Sequence, residues 1–116
     1  MKDKDRIALQ KMDKYVHEIL SYTNGMDFNG FLEDNKTINA SAFLIGQIGE
    51  LVGEISDETQ ENCPDIPWRN IKGMRNRIIH DYEDIDFTVL WGTITENLLD
   101  LSNNIQKILA QSQGNL

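Results

Sequence analysis

Apolar residues recur at alternating steps of four and three along this chain, a rhythm that suits a helix and almost nothing else. In the last third Phe87, Trp91, Ile94, Leu98, Leu101, Ile105 and Ile108 hold it without a break. Near the start Ala8, Met12, Tyr15, Ile19 and Tyr22 do the same, predicting a helix over about 3–23 that Asn24 and Gly25 stop. Ile38, Ala42, Ile45, Ile48, Val52 and Ile55 predict a second over about 37–55. No segment shows the sustained alternation of a half-buried strand. On the second helix Ala42, Gly46, Gly49 and Gly53 form a further stripe of small residues. Glycine inside a helix costs about 1 kcal/mol relative to alanine, so three of them imply that another backbone comes close.

Between these helices the reading is coarser. Residues 26–35, MDFNGFLEDN, have room for a short helical turn, and DETQENCPD (57–65) reads as an acidic loop. Pro67 suits the first turn of a helix over about 67–82. Asp86 is the expected N-cap of the final helix, with Ile85 packing on Leu90 as a staple. The expectation is an all-α fold: an up-and-down bundle of four long helices with a short fifth, in one domain spanning 1–116. A chain of 116 residues is long enough for a core without staples. The single cysteine, Cys63, allows no intrachain disulfide and no zinc cluster. The opening MKDKDRIALQ is charged and then amphipathic, unlike a secretory signal, and no run approaches the roughly 18 apolar residues of a membrane span, so the cytoplasm is expected. With 19 acidic and 11 basic residues the formal charge is −8, which argues against coating nucleic acid by bulk attraction.

One segment departs from its own pattern. On a wheel at about 100° per residue, Trp68, Ile71, Met74, Ile78 and Ile79 share a broad apolar arc, and Arg75 and Tyr82 project from inside it. A buried arginine needs a carboxylate, a phosphate or a polar cleft. Asn76 and His80, four apart, would stack one turn above the other on an adjacent face, with Arg69 near the same line. Arg69, Lys72, Arg75 and Arg77 lie between Trp68 and His80 with no acidic residue among them, four of the chain's eleven basic side chains. Asp81, Glu83, Asp84 and Asp86 follow at once.

Each feature has a plain structural explanation. Arg75 could pair with Glu50 or Glu54, His80 could answer a helix macrodipole, Tyr82 could be core, and the basic cluster could be a solvated face. Their coincidence on one short segment favours chemistry instead. An imidazole moves protons in the neutral range, to or from a ribose 2′-hydroxyl or a leaving oxygen. A guanidinium offers a fixed fork of donors to a phosphate gaining charge in the transition state, and an asparagine can orient the imidazole or donate to a phosphate oxygen. Together they would support RNA cleavage by internal attack of the 2′-hydroxyl. No second histidine or carboxylate pair stands at ligand spacing beside His80, so neither a metal nor another cofactor is expected.

These residues resemble a known family. Arg75-Asn76-Arg77-Ile78-Ile79-His80 matches the R-N-x-x-x-H motif of HEPN domains, and His80-Asp81-Tyr82 the H-x-Y extension of HepT-like toxins. IGQIGELVGEIS (45–56) and PDIPWRNIKGMRNRIIHDYEDID (64–86) carry the likeness across most of the chain, from about 5 to 110. NASAFLIG (39–46), at the start of the second long helix, is less charged than in many relatives. The resemblance implies a helical homodimer with two motif segments facing one cleft, acting on RNA as a metal-independent ribonuclease toxin. Its implied partner is a minimal nucleotidyltransferase antitoxin that silences it by adding AMP to the H-x-Y tyrosine. By position Arg75 would stabilise phosphate, Asn76 assist, and His80 act as acid and base; Tyr82 would be the modification site. Arg69, Lys72 and Arg77 are the expected RNA- or phosphate-binding residues. The competing reading is a non-catalytic module that binds a nucleotide or the nucleotidyltransferase without cleaving RNA.

Overall fold

The computed structural model describes residues 1–81 and 84–114. Helix α1 (Asp3–Thr23) ends where Asn24 leaves helical geometry and Gly25 takes φ +79°, the left-handed turn that glycine adopts without a Cβ clash. A short α2 (Phe28–Leu32), capped by the Asp27 carboxylate accepting from the Gly30 N–H, leads into α3 (Asn35–Val52), whose first turn Asp34 caps. All six residues of the second stripe, Ile38, Ala42, Ile45, Ile48, Val52 and Ile55, are buried. Helix α3 packs along α1, and α1 packs in turn against the C-terminal helix, so the core is a layer between three long elements. Among the described residues no helix is long and apolar enough to cross a membrane.

The all-α expectation holds, with local corrections. Residues 57–62 are helix rather than loop: α4 (Asp57–Asn62) starts because the Ser56 hydroxyl accepts from the Thr59 N–H, and its two leading acidic residues suit a helix N-terminus. The helix expected over 67–82 is two pieces, α5 (Trp68–Lys72) and α6 (Met74–Ile78), so the long helices number three. Gly73 breaks it, and the paired β-branched Ile78 and Ile79 do not continue it: Ile79 is already extended at φ −112°, ψ 106°. A small antiparallel pairing of β1 (Ile79–Asp81) with β2 (Asp84–Ile85) follows, in register Ile79 to Ile85. The Asp86 N–H closes it on the Ile78 carbonyl at 2.7 Å.

Asp86 is the N-cap of α7 (Phe87–Gly92), accepting from the Val89 N–H. A π-helical turn (Thr93–Asn97) then joins α7 to α8 (Leu98–Gly114). Thr93 and Thr95 hydroxyls bond the carbonyls of Val89 and Trp91 there, the kind of side-chain competition that loosens a helix. The wider turn changes the stripe: Leu90, Ile94, Leu98, Leu101 and Ile105 are buried, in steps of four, four, three and four, while Phe87 stays exposed. Trp91 packs instead on Phe28 and Phe31, with ring centroids 6.2 and 4.9 Å away.

Candidate active site

The glycine stripe of α3 positions the site. A Cβ on Gly49 would lie 3.3 Å from the Ile71 carbonyl and 3.4 Å from that of Lys72, so the backbone of α5 rests directly on α3 there. One turn earlier a Cβ on Gly46 would lie 3.4 Å from Cδ of Arg75, so the arginine stem crosses α3 over a residue with no side chain. The two short helices are thereby held tight against α3, with their polar side chains beside the seam.

An open groove of about 660 Å³ runs along that seam. Arg69, Lys72, Arg75 and Asn76 line it together with the glycines and Glu50. Among the described residues none of the three cations makes an ion pair, and Arg75 pairs with neither Glu50 nor Glu54. Arg75 is exposed rather than held in an apolar arc, because the break at Gly73 ends the single wheel on which that arc was drawn. Three hydrated cations and an amide donor in one groove are suited to bind phosphate oxygens.

Arg77 turns elsewhere. Its Nη2 donates to the Asn70 carbonyl at 3.0 Å, tying α6 back to α5, and it lines a different depression against α8. His80 stands on β1, not on the helix, so the expected stacking of His80 over Asn76 does not occur. Its side chain is half exposed, with Nε2 3.9 Å from Oδ2 of Asp86. Asp86 is anchored through its other oxygen, which accepts from the Val89 N–H at 3.0 Å. A fixed carboxylate beside an imidazole can orient the ring. Sequence reasoning assigned Asp86 only as a helix cap; its six-residue distance from His80 carries no recognisable spacing signal, because a hairpin joins them. Tyr82 lies outside the described residues. Among the described residues no group of three or more His, Cys, Asp or Glu side chains is placed to hold a metal ion.

The family model described as Ribonuclease HepT-like matches residues 12–108. The chain belongs to the ribonuclease HepT-like family. The relative named "Probable ribonuclease HepT" of Thermococcus cleftensis is 32% identical over 108 residues, covering 93% of this chain and 98% of its own. "Putative RNase MJ1216" of Methanocaldococcus jannaschii is 27% identical over 101 residues, 87% of this chain and 84% of its own. "Putative RNase TTE0752" of Caldanaerobacter subterraneus subsp. tengcongensis is 27% identical over 95 residues, 82% and 85% of the two chains. No solved structure matches the chain significantly. The matched segment of this HepT-like chain spans α3, the glycine stripe and the whole of 68–86.

Proposed function

We propose that this HepT-like chain is a metal-independent endoribonuclease, the toxin of a toxin–antitoxin pair working in the cytoplasm. The observation that carries the reading is the groove: Arg69, Lys72, Arg75 and Asn76 converge without a neutralising ion pair among the described residues, and the chain runs on from α6 into a hairpin that presents His80 with Asp86. In the proposed reaction an imidazole accepts the proton of a ribose 2′-hydroxyl, whose oxygen attacks the adjacent phosphorus. The bond from phosphorus to the 5′-oxygen breaks, and a protonated imidazole returns a proton to that oxygen. Arg75 stabilises the charge gathered on the phosphoryl oxygens, Asn76 assists, and Arg69 and Lys72 hold flanking phosphates. Arg77 serves chiefly to lock α5 to α6.

One imidazole cannot readily be both base and acid in an in-line step, so a homodimer that brings two copies of His80 to one cleft completes the site. Phe43 supports that assembly. It lies three residues before Gly46, on the groove side of α3, and is 63% exposed. Phe43→Glu is expected to halve the mass measured by light scattering and to lower RNA cleavage by about a hundredfold or more, the least that loss of one general acid or base usually costs. A wild-type chain that is strictly monomeric at micromolar concentration would contradict the shared cleft.

The proposed antitoxin is a minimal nucleotidyltransferase that transfers AMP from ATP to the phenolic oxygen of Tyr82, releasing pyrophosphate. The added bulk and negative charge would then repel RNA phosphates. Intact-mass measurement after co-expression with such an enzyme should show AMP additions that Tyr82→Phe removes; additions that persist in Tyr82→Phe would move the modification elsewhere. The alternative, a non-catalytic module that binds a nucleotide or the nucleotidyltransferase, draws on one observation: His80 is not among the groove's lining residues. It predicts Arg75-dependent binding with no RNA turnover.

A further inference from the structure

A second depression, of about 740 Å³, adjoins the cationic groove and shares Gly53, Arg69 and Lys72 with it. Its walls are of another kind. Val52 and Ile55, at the end of α3, and Pro67 and Trp68 supply apolar surface, and Asp57 and Gln60 of α4 supply polar atoms. The Pro64-Asp65-Ile66-Pro67-Trp68 run, which the proposed chemistry leaves without a role, contributes its last two residues to the lining. Ile66 anchors that run in the core, and the indole Nε1 of Trp68 donates to the carbonyls of Gln60 and Cys63, both at 3.1 Å, which fixes the plane of the ring.

On the α4 side the polar atoms left for a ligand are acceptors, whereas Asn70, Arg69 and Lys72 bring donors to the same cavity. Gln60 Nε2 already donates to the Val52 and Ile55 carbonyls, each at 3.1 Å, so Oε1 is the atom its amide has to offer. Asp57 is an exposed carboxylate with no ion pair among the described residues. The lining thus joins one carboxylate, Asp57, with two cations, Arg69 and Lys72. Phosphate is drawn to Arg69 and Lys72 and repelled from Asp57, whereas an amino group is drawn to Asp57.

We infer that this depression is a nucleobase pocket: it takes the base of a nucleotide flanking the one cleaved, stacks it against Trp68, and prefers a base with an exocyclic amine, which donates to Asp57 and Gln60. The inference rests on the ribonuclease reading for its RNA ligand. A base against a fixed aromatic ring with its phosphate on adjacent cations is a recurring arrangement for single-stranded RNA.

The test uses His80→Ala full-length chain, so that RNA stays intact, and fluorescence anisotropy with labelled pentanucleotides. Paired probes differ at one position only: cytidine against uridine, and adenosine against purine riboside, which lacks the amine. Walking that position along the probe should find one site where the amine-bearing base binds about tenfold more tightly, the worth of a hydrogen bond to a charged acceptor. Adding Asp57→Asn, which keeps the shape and replaces an acceptor atom by a donor, should reduce that preference to within about twofold while the melting temperature stays within a few degrees. Equal binding of the paired probes at every position, or a preference that Asp57→Asn leaves intact, overturns the pocket. Cleavage by the wild-type chain separates the two ideas. Cleavage without base preference overturns the pocket alone, and preference without cleavage overturns the ribonuclease reading alone. Failure of every probe to bind overturns both.

Discussion

His80→Ala is expected to lower RNA cleavage by a factor on the order of 10²–10⁴, the usual contribution of a general acid or base, while leaving the melting temperature unchanged. The second half of that expectation follows from where the residue sits. His80 is on β1, half exposed, and among the described residues its side chain's one polar contact is the 3.9 Å approach to Asp86. A surface side chain with so few partners contributes within about 0.5 kcal/mol of nothing to stability. Loss of cleavage without loss of folding would therefore assign His80 to the chemistry. Asp86→Asn is the informative companion. An asparagine still caps α7 through its amide oxygen but withdraws the negative charge facing the imidazole, so activity should fall by less than in His80→Ala, with little change in stability. A His80→Ala variant as active as the wild type would overturn the assignment.

The largest expected effect on stability lies outside the groove's lining. Asp5, in the first turn of α1, is fully buried and accepts three hydrogen bonds from α4 and its cap. The Ser56 N–H donates to Oδ1 at 2.9 Å, and the hydroxyls of Ser56 and Thr59 both donate to Oδ2 at 2.6 Å. Burial alone would raise the carboxyl's pKa. The donors from Ser56 and Thr59, with Lys4 adding a smaller Coulombic contribution, outweigh it and hold the value at about 2, below the ordinary 3.8. Because the folded pKa is the lower one, the stabilisation is fully present above the unfolded value and is lost as pH falls through the folded value. It amounts to about 2 kcal/mol on that shift. Asp5→Ala removes the carboxylate and leaves buried donors unpaired, an expected cost of about 3 kcal/mol, or a fall in melting temperature on the order of 10–20 °C. Thermal melts from neutral pH downwards should show the wild type losing stability between about pH 4 and 2, and the variant losing correspondingly less there. A variant whose melts match the wild type at every pH would show that the Asp5 network does not hold α4 in place.

These two sites mark what was legible in the sequence and what was not. The stripe from Ile38 to Val52 is wholly buried because one helix carries it, and two of the three glycines mark a close approach, of the α5 backbone at Gly49 and the stem of Arg75 at Gly46, while Gly53 meets only the Glu50 carbonyl of its own segment. The segment 68–80 was readable as a cluster of residue types but not as a shape. Gly73 and the Ile78-Ile79 pair divide it, so a wheel drawn through all of it misplaces Arg75, and His80 over Asn76. A two- or three-residue strand has no period to detect, which is why the hairpin and the meeting of His80 with Asp86 were hidden. Asp5 and Ser56 are 51 residues apart, and nothing local in either stretch announces that they touch. The net charge of −8 is compatible with this division, since Arg69, Lys72 and Arg75 concentrate positive charge in one groove of an otherwise acidic chain.

The central claim is metal-independent cleavage through the 2′-hydroxyl, and the chemistry of the product ends tests it most directly. Purified wild-type chain, incubated with a short oligoribonucleotide in EDTA and analysed by mass spectrometry, should yield fragments ending in 2′,3′-cyclic phosphate and fragments beginning with 5′-hydroxyl. The same oligonucleotide with a 2′-deoxy sugar at the scissile position should remain intact. Cleavage that requires an added divalent metal, or that leaves 5′-phosphate and 3′-hydroxyl ends, would contradict it.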